Sequence, residues 1–182
     1  MRTLLVAFGV AISLMLSGCS NNSEPSVETT TRAATTTTSA RPSAPQPLGA
    51  TRTFTDAVSG LEVDVTVFAV DQNIALRLPT PARGGHWVGA DIGTCLKMSD
   101  YGRKLTVGWS DWSVSDAQNG QYIPSNKRYS EFPTPQYPFS NEPIVEGECV
   151  RGWVLFPVAN RTTITKVKYK PGFDVPAFWS AR

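Results

Sequence analysis

The chain has 182 residues, of which 41% are hydrophobic and 18% charged, and its 17 basic and 15 acidic side chains give a formal net charge of +2. No basic run is longer than Lys127-Arg128, so the sequence lacks the clustered positive charge that indicates a nucleic-acid partner. The part of the chain after the N-terminal leader is long enough for one domain with a substantial hydrophobic core.

The N-terminus has the pattern of an export signal. Arg2 supplies positive charge, and the apolar run 4–16 is too short to cross a bilayer as a helix. The run ends in Leu16-Ser17-Gly18-Cys19, which resembles the bacterial lipobox. The resemblance implies a lipoprotein signal peptide, residues 1–18, and a diacylglyceryl group on Cys19 that anchors the protein to the outward side of the cell membrane. The alternative is an ordinary secretory signal that happens to end in Gly-Cys.

Residues 19–50 are predicted to form a flexible tether behind the lipidated cysteine. The segment consists mainly of Ser, Thr, Ala, Pro, Asn and Glu, with threonine runs at 29–31 and 35–38 and no periodic apolar residues. Such a segment cannot bury enough surface to offset the entropy lost on ordering. As a coil it would have an end-to-end distance of about 30 Å, which would lift the folded domain off the membrane.

Residues 51–182 are predicted to form one all-β domain. Apolar and polar residues alternate in several short segments, which is the period of a half-buried strand. Asn119-Gly120 is the strongest hairpin signal, and no segment after the leader keeps a helical period. The segments with strand character are 61–67, 88–96, 105–114, 122–123, 149–158 and 163–169. Short strands separated by turns indicate an antiparallel β-sandwich of immunoglobulin-like type.

Apart from Cys19, the chain contains one pair of cysteines, Cys95 and Cys149. In an exported protein such a pair is expected to form a disulfide, and the alternative is two buried free thiols. Both cysteines are out of phase with the apolar residues of their own strands, which occupy the even-numbered positions. The disulfide is therefore expected at a strand end or on an outer face of the sandwich, unless a β-bulge between Ile92 and Cys95 reverses the phase.

Trp87, Arg151 and Trp153 share the outward phase of the cysteines and are a candidate binding patch. The favoured alternative is that the tryptophans are covered, because a long loop rich in aromatic residues needs somewhere to bury them. Two segments could provide the cover. They are the Pro-rich loop 124–143, with Tyr129, Phe132, Tyr137 and Phe139, and the C-terminal tail, with Phe173, Phe178 and Trp179.

The sequence predicts no catalytic residue, metal site or cofactor. The single histidine, His86, lies in what reads as an exposed loop before a strand, and one histidine without a free cysteine is too few ligands for zinc. Glu142, Glu146 and Glu148 do not have the spacing of a calcium loop, so a solvated acidic rim is expected. Gly-x-Ser-x-Gly and Ser-x-x-Lys motifs are absent.

The domain resembles immunoglobulin-like lipoprotein domains of Gram-positive bacteria and actinobacteria, which are related to a small secreted mycobacterial antigen. The most specific part of the resemblance is Gly147-Glu148-x-x-x-Gly152-x-x-x-Phe156, and the chain departs from the family at Cys95-Leu96-Lys97-Met98, where an asparagine is usual. The resemblance implies the fold and the location and carries no catalytic residues. The other matching segments are 87–92, Trp109, Asp111-Trp112, 145–158 and 169–171.

These observations predict a noncatalytic cell-envelope lipoprotein whose β-sandwich binds a protein or envelope component. One alternative is a cell-wall or carbohydrate-active enzyme that uses an acid pair near Trp109 and Trp112, with Asp111 as the nearest acid. Another is a purely structural envelope protein. The sequence does not indicate the partner or an oligomeric state.

Overall fold

The computed structural model describes residues 44–74, 80, 81 and 85–182, so the signal peptide, Cys19 and most of the predicted tether lie outside the described residues. Within the described ranges the regular structure consists of strands and two short 3-10 helices, Asp100–Gly102 and Trp109–Asp111. No helix there is long and apolar enough to cross a membrane. The strands are β1 (Thr51–Asp56), β2 (Leu61–Asp71), β3 (His86–Ser99), β4 (Leu105–Val107), β5 (Trp112–Asp116), β6 (Gln121–Tyr122), β7 (Glu142–Ile144), β8 (Cys149–Val158), β9 (Ile164–Tyr169) and β10 (Ala177–Ser180).

Two four-stranded antiparallel sheets enclose the core. The first sheet has the order β1-β2-β3-β8, the second has the order β10-β9-β5-β6, and β4 and β7 form a separate pair. Both sheets direct alternate apolar side chains inward, as expected when each sheet has one buried face. The prediction of an all-β antiparallel fold is therefore confirmed. The side chains with no exposed surface include Phe54, Val63, Val65, Val67, Val88, Ala90, Ile92, Val114, Val154, Phe156, Val167 and Trp179.

The prediction of which residues in β3 and β8 face the core is also confirmed. Val88 lies opposite Phe156 and Ala90 opposite Val154, and the two strands keep one register as far as the pair of Cys95 and Cys149. No register shift separates Ile92 from Cys95, so the inward and outward sets derived from alternation are those of the structure. A shift in the pairing of β2 with β3 does occur near Lys97, beyond the cysteine.

The hairpin predicted at Asn119-Gly120 joins β5 to β6. Asn119 has φ 64°, in the left-handed region that asparagine tolerates better than most residues. The Asp116 carboxylate accepts hydrogen bonds from the backbone N–H groups of Gln118 and Gly120, at 2.9 and 2.7 Å, and from the Tyr122 hydroxyl at 3.0 Å. The hydrogen bonds that the Asp116 carboxylate accepts therefore stabilise the turn.

The ordered pairing begins before the predicted domain boundary at residue 51. The Gln46 N–H donates to the Phe178 carbonyl at 2.8 Å, and the Ser180 N–H donates to the Gln46 carbonyl at 2.7 Å. The residues around Gln46 thus pair along the free edge of β10. Composition gave no sign of this, because Gln46 lies between two prolines that cannot donate backbone hydrogen bonds.

Candidate functional site

Cys95 and Cys149 form a disulfide, as predicted. They are directly opposite each other on β3 and β8, and they lie on the outward face of the first sheet, with Cys149 exposed and Cys95 half-buried. The bond therefore links two neighbouring strands on the solvent side and does not cross the core between the two sheets.

Arg151 lies two residues along β8 from this disulfide, on the same outward face. Its guanidinium donates to both carboxylate oxygens of Asp91, with Nη2 to Oδ2 at 2.7 Å and Nε to Oδ1 at 3.2 Å. The hydrogen bond to Asp91 is the main reason why the pKa of Arg151 is raised above its ordinary value. The guanidinium carbon also lies 3.9 Å from the centroid of the Phe68 ring, within the range of a cation–π interaction. Arg151 is thus held in one position although 56% of its side chain is exposed.

Two outward-facing glycines of β3 allow large side chains to lie flat on the sheet. A Cβ atom at Gly93 would come within 2.9 Å of the Phe68 ring, and one at Gly89 would come within 3.0 Å of the Trp153 ring. The same Cβ at Gly89 would collide with the Ile74 side chain. A side chain at either position would therefore have to displace the side chains that lie over the glycine.

We define the Arg151 surface as Phe68, Asp91, Arg151 and Trp153. Phe68 is 39% exposed, whereas Trp153 is half-buried beside Ile74. A shallow depression of about 240 Å³ adjoins the Arg151 surface, above the disulfide, and Phe68, Gly93, Cys95, Cys149 and Arg151 are among the residues that line it. The structure therefore brings Arg151 and Trp153 to one outer face, as predicted, and adds Phe68, which alternation alone did not indicate.

Trp87 does not belong to this exposed surface, which corrects the candidate patch. It is only 9% exposed, because its ring makes edge contacts with Tyr129 and Phe132 of the Pro-rich loop, at centroid distances of 6.4 and 5.4 Å. Its remaining surface faces a cavity of about 380 Å³ beside Ile123. The predicted cover by the Pro-rich loop is therefore confirmed for Trp87.

The same loop covers Trp109 and Trp112, which lie just before and at the start of β5. Phe139 contacts Trp109 with ring centroids 5.1 Å apart, and Tyr137 contacts Trp112 at 6.1 Å. The Trp109 indole N–H donates to the Tyr137 carbonyl at 2.8 Å, and the Tyr137 hydroxyl donates to Thr94 Oγ1 at 2.8 Å. Burial raises the pKa of Tyr137 well above its ordinary value, so this hydroxyl remains a donor.

The C-terminal tail does not act as a cover. Residues 177–180 form β10, and Trp179 packs in the core against Trp112 with ring centroids 6.3 Å apart. The Trp179 indole N–H donates to the Ala50 carbonyl at 2.8 Å. The aromatic residues of β10 thus belong to the second sheet itself.

The structure gives little support to an acid pair beside Trp109 and Trp112. Both tryptophans are 2% exposed, and the cavity of about 340 Å³ beside them is lined by described residues without a carboxyl group. Asp111 instead accepts a hydrogen bond from the Gly108 N–H at 3.1 Å at the start of a 3-10 helix, and burial raises its pKa. The residues that line this cavity are Trp109, Ser110, Trp112, Ile123, Pro124, Ser125, Asn126 and Phe139.

The other residues considered as ligands lie apart or bond to the backbone. His86 is the half-buried first residue of β3, which corrects its predicted place in an exposed loop. Glu146 accepts from the Ser99 N–H at 3.1 Å and Glu148 from the Val145 N–H at 2.8 Å. Among the described ranges, no group of three or more His, Cys, Asp or Glu side chains could hold a metal ion.

Comparison with known proteins identifies the fold. A secreted protein from Mycobacterium tuberculosis, MPT63, superposes with a TM-score of 0.58 and 22% sequence identity over 78% of this chain and 99% of that protein. The yjhA protein from Bacillus subtilis gives a TM-score of 0.53 and 13% identity over 75% of this chain and 99% of that protein. The chain is an immunoglobulin-like β-sandwich. No protein-family model matches the sequence, and no curated protein matches it either.

The two structural relatives share the fold with this chain at low sequence identity, so they do not transfer a ligand or an activity. The contacts of Arg151 with Asp91 and Phe68 are observed in this chain. Its function must therefore be argued from its own surfaces.

Proposed function

We infer that this chain is an extracytoplasmic lipoprotein whose noncatalytic immunoglobulin-like domain binds a protein or cell-envelope partner through the Arg151 surface. The binding site is inferred from one observation. The Arg151 guanidinium is held between the Asp91 carboxylate and the Phe68 ring. An arginine ordered in this way loses little further conformational freedom when a partner binds.

The composition of the Arg151 surface suits protein recognition. Arginine and aromatic side chains are over-represented among the residues that dominate the binding energy of protein interfaces. Phe68 and Arg151 both expose more than a third of their side chains, and the glycines beneath Phe68 and Trp153 leave a flat surface. The outward location of the disulfide adds rigidity next to the site.

The anchoring part of the proposal rests on the sequence. The lipobox-like Leu16-Ser17-Gly18-Cys19 ends a short apolar run, and the described residues contain no helix that could span a membrane. A lipid on Cys19 would supply the membrane attachment. The fold shared with MPT63, which is described as secreted, is compatible with this location.

Cys19→Ala is expected to abolish membrane attachment. The substitution removes the sulfur that would carry the lipid, so the protein should appear in the soluble extracellular or extracytoplasmic fraction or accumulate unprocessed. Cell fractionation with lipid labelling measures both outcomes. Ser20→Ala, next to the lipidation site, is the matched control and should behave like the wild type. A Cys19→Ala protein that is still processed, lipid-labelled and membrane-bound would refute the anchor.

Arg151→Ala is expected to weaken capture of the partner by about tenfold or more, as loss of a central interface arginine does. The measurement is crosslinking in intact cells followed by purification and quantification of the crosslinked partner. Arg161→Ala, which changes an exposed arginine in the turn between β8 and β9, is the control with the same charge change.

Phe68→Ala supplies a second test, because Arg151→Ala leaves the Asp91 carboxylate without its ion-pair partner and lowers stability. Phe68→Ala keeps the ion pair and should also reduce capture. Thermal unfolding of each purified variant separates loss of binding from loss of folding. Wild-type capture by both folded variants would eliminate the Arg151 surface as the binding site.

A further inference from the structure

The outer face of the second sheet carries a row of lysines that counting basic runs does not reveal. Three of the six lysines in the chain, Lys166, Lys168 and Lys170, occur at alternate positions in and just after β9. Val167 and Tyr169 between them point into the core with 0% and 3% exposure. The three lysines therefore project to the same side, spaced about 7 Å apart along the chain.

Serines and one phenylalanine flank this row on the neighbouring strands. Lys166 lies between Ser115 of β5 and Ser180 of β10, and Lys168 lies between Ser113 and Phe178. The Lys168 ammonium is 6.0 Å from the centroid of the half-buried Phe178 ring. We call this area the lysine face, defined by Lys166, Lys168, Lys170, Phe178 and the three serines 113, 115 and 180.

Among the described residues, no acid forms an ion pair with the lysine face. In the part of the chain that the structure describes, the ion pair within 4.0 Å is Arg151 with Asp91, on the first sheet. The carboxylate of Asp116 in β5 is 7% exposed and bonds within the hairpin. A protein with a net charge of only +2 thus concentrates three cations on one flat surface, which suits an anionic partner.

The N-terminal segment enters the domain beside this face. Gln46 pairs with Phe178 and Ser180, along the free edge of β10, and Phe178 and Ser180 themselves lie in the lysine face. The described part of the chain therefore begins, at residue 44, beside this edge. A coil of the roughly 25 residues between Cys19 and Gln46 spans about 30 Å, enough for the domain to turn this face toward a membrane that holds the cysteine.

We propose that the lysine face docks on the anionic lipid headgroups of the membrane to which Cys19 attaches the chain. The inference rests on the proposed lipid anchor, which would hold the lysines close to the headgroups at high effective concentration. Lysines attract such a surface only within about a Debye length of 8 Å, so the face must lie against it. Since the two sheets pack face to face, the Arg151 surface on the first sheet is then directed away from the membrane.

The attraction between the lysine face and anionic headgroups is tested with a protein that lacks the lipid on Cys19. The chain from residue 19 onward with Cys19→Ser contains every described residue and is mixed at low ionic strength with vesicles of equal parts phosphatidylglycerol and phosphatidylcholine. Binding is expected to these vesicles, to disappear with pure phosphatidylcholine and to weaken with added salt. Changing Lys166, Lys168 and Lys170 to Gln should lower the partition coefficient roughly 100-fold, about fivefold for each lysine.

Two variants serve as controls. Changing Lys97, Lys104 and Lys127 to Gln removes the same charge elsewhere and should leave most of the binding intact. Changing Lys166, Lys168 and Lys170 to Arg keeps the charge and should restore binding. Equal losses in both Gln variants would overturn the proposal, since net charge alone would then explain binding. Binding to soluble polyphosphate but not to vesicles would also overturn the proposal, because the lysine face would then bind an anionic polymer and not a membrane.

The lipid-anchored protein provides the second readout. In membranes, acetylation of Lys166, Lys168 and Lys170 by an amine-reactive reagent should be slower than in the Cys19→Ser protein, while Lys97 and Lys127 should react equally in both. Equal reactivity of all lysines in an anchored protein would overturn the docking and leave the anchor standing. A Cys19→Ala protein that is still processed, lipid-labelled and retained in membranes after a high-salt wash would instead refute the proposed lipid anchor.

Discussion

Phe156→Ala is expected to lower the free energy of unfolding by about 3–5 kcal/mol. Phe156 has no exposed surface and lies opposite Val88, which is also fully buried. Truncating the ring leaves a cavity between the two sheets that the surrounding strands cannot close without breaking their pairing. The loss is a large share of the roughly 5–15 kcal/mol that stabilises a typical domain.

Trp153→Ala is the matched comparison from the same strand. The Trp153 side chain points outward and is half-buried over Gly89, so its truncation should cost at most about 2 kcal/mol. Val154→Ala, on the inward side, should cost about 2 kcal/mol or more. Urea unfolding followed by far-ultraviolet circular dichroism measures all three variants without depending on tryptophan fluorescence. A loss for Trp153→Ala equal to that for Phe156→Ala would contradict the assignment of the two faces.

Removing the disulfide is expected to destabilise the domain by a similar amount. The bond closes a loop with a sequence separation of 54 residues, and the chain-entropy estimate for a loop of this length is roughly 4 kcal/mol. Replacing Cys95 and Cys149 together by Ala avoids leaving one reactive thiol. Chemical unfolding with and without a reductant is the measurement.

The reductant provides the internal control for this second prediction. Reduced wild type should unfold at nearly the same denaturant concentration as the double variant, and the variant should not respond to the reductant. A double variant within about 1 kcal/mol of the oxidised wild type would show that the unfolded chain gains little freedom when the bond is absent. Mass spectrometry of the unreduced wild type should show the peptides of Cys95 and Cys149 linked.

The two outer faces of the sandwich differ in chemistry. The first sheet presents an arginine fixed against an aromatic ring, with its charge balanced by Asp91. The second sheet presents three lysines without an ion-pair partner among the described acids. A domain docked by one face and recognised through the other would hold its binding site in a defined orientation, which a tether alone could not do.

Several features are determined by the sequence alone because they depend on local chemistry. Alternation of apolar and polar residues predicted β2, β3, β8 and β9 and assigned inward and outward positions correctly in β3 and β8. Asn119-Gly120 predicted the hairpin because few residue pairs tolerate its backbone angles. The parity of the cysteines predicted their bond, and their phase predicted that it lies outside the core.

Other features were decided by the tertiary structure, because they depend on which segments meet. Trp87 and Trp153 have the same phase, yet Trp87 is covered by Tyr129 and Phe132, whereas Trp153 is only half-buried. A search for basic runs did not find the lysine face, because its lysines alternate with core residues along β9. The serines of this face come from two other strands, β5 and β10. The ion pair of Arg151 with Asp91 likewise joins residues 60 positions apart. Alternation determines the side to which a residue points, and only the pairing of strands determines what lies beside it.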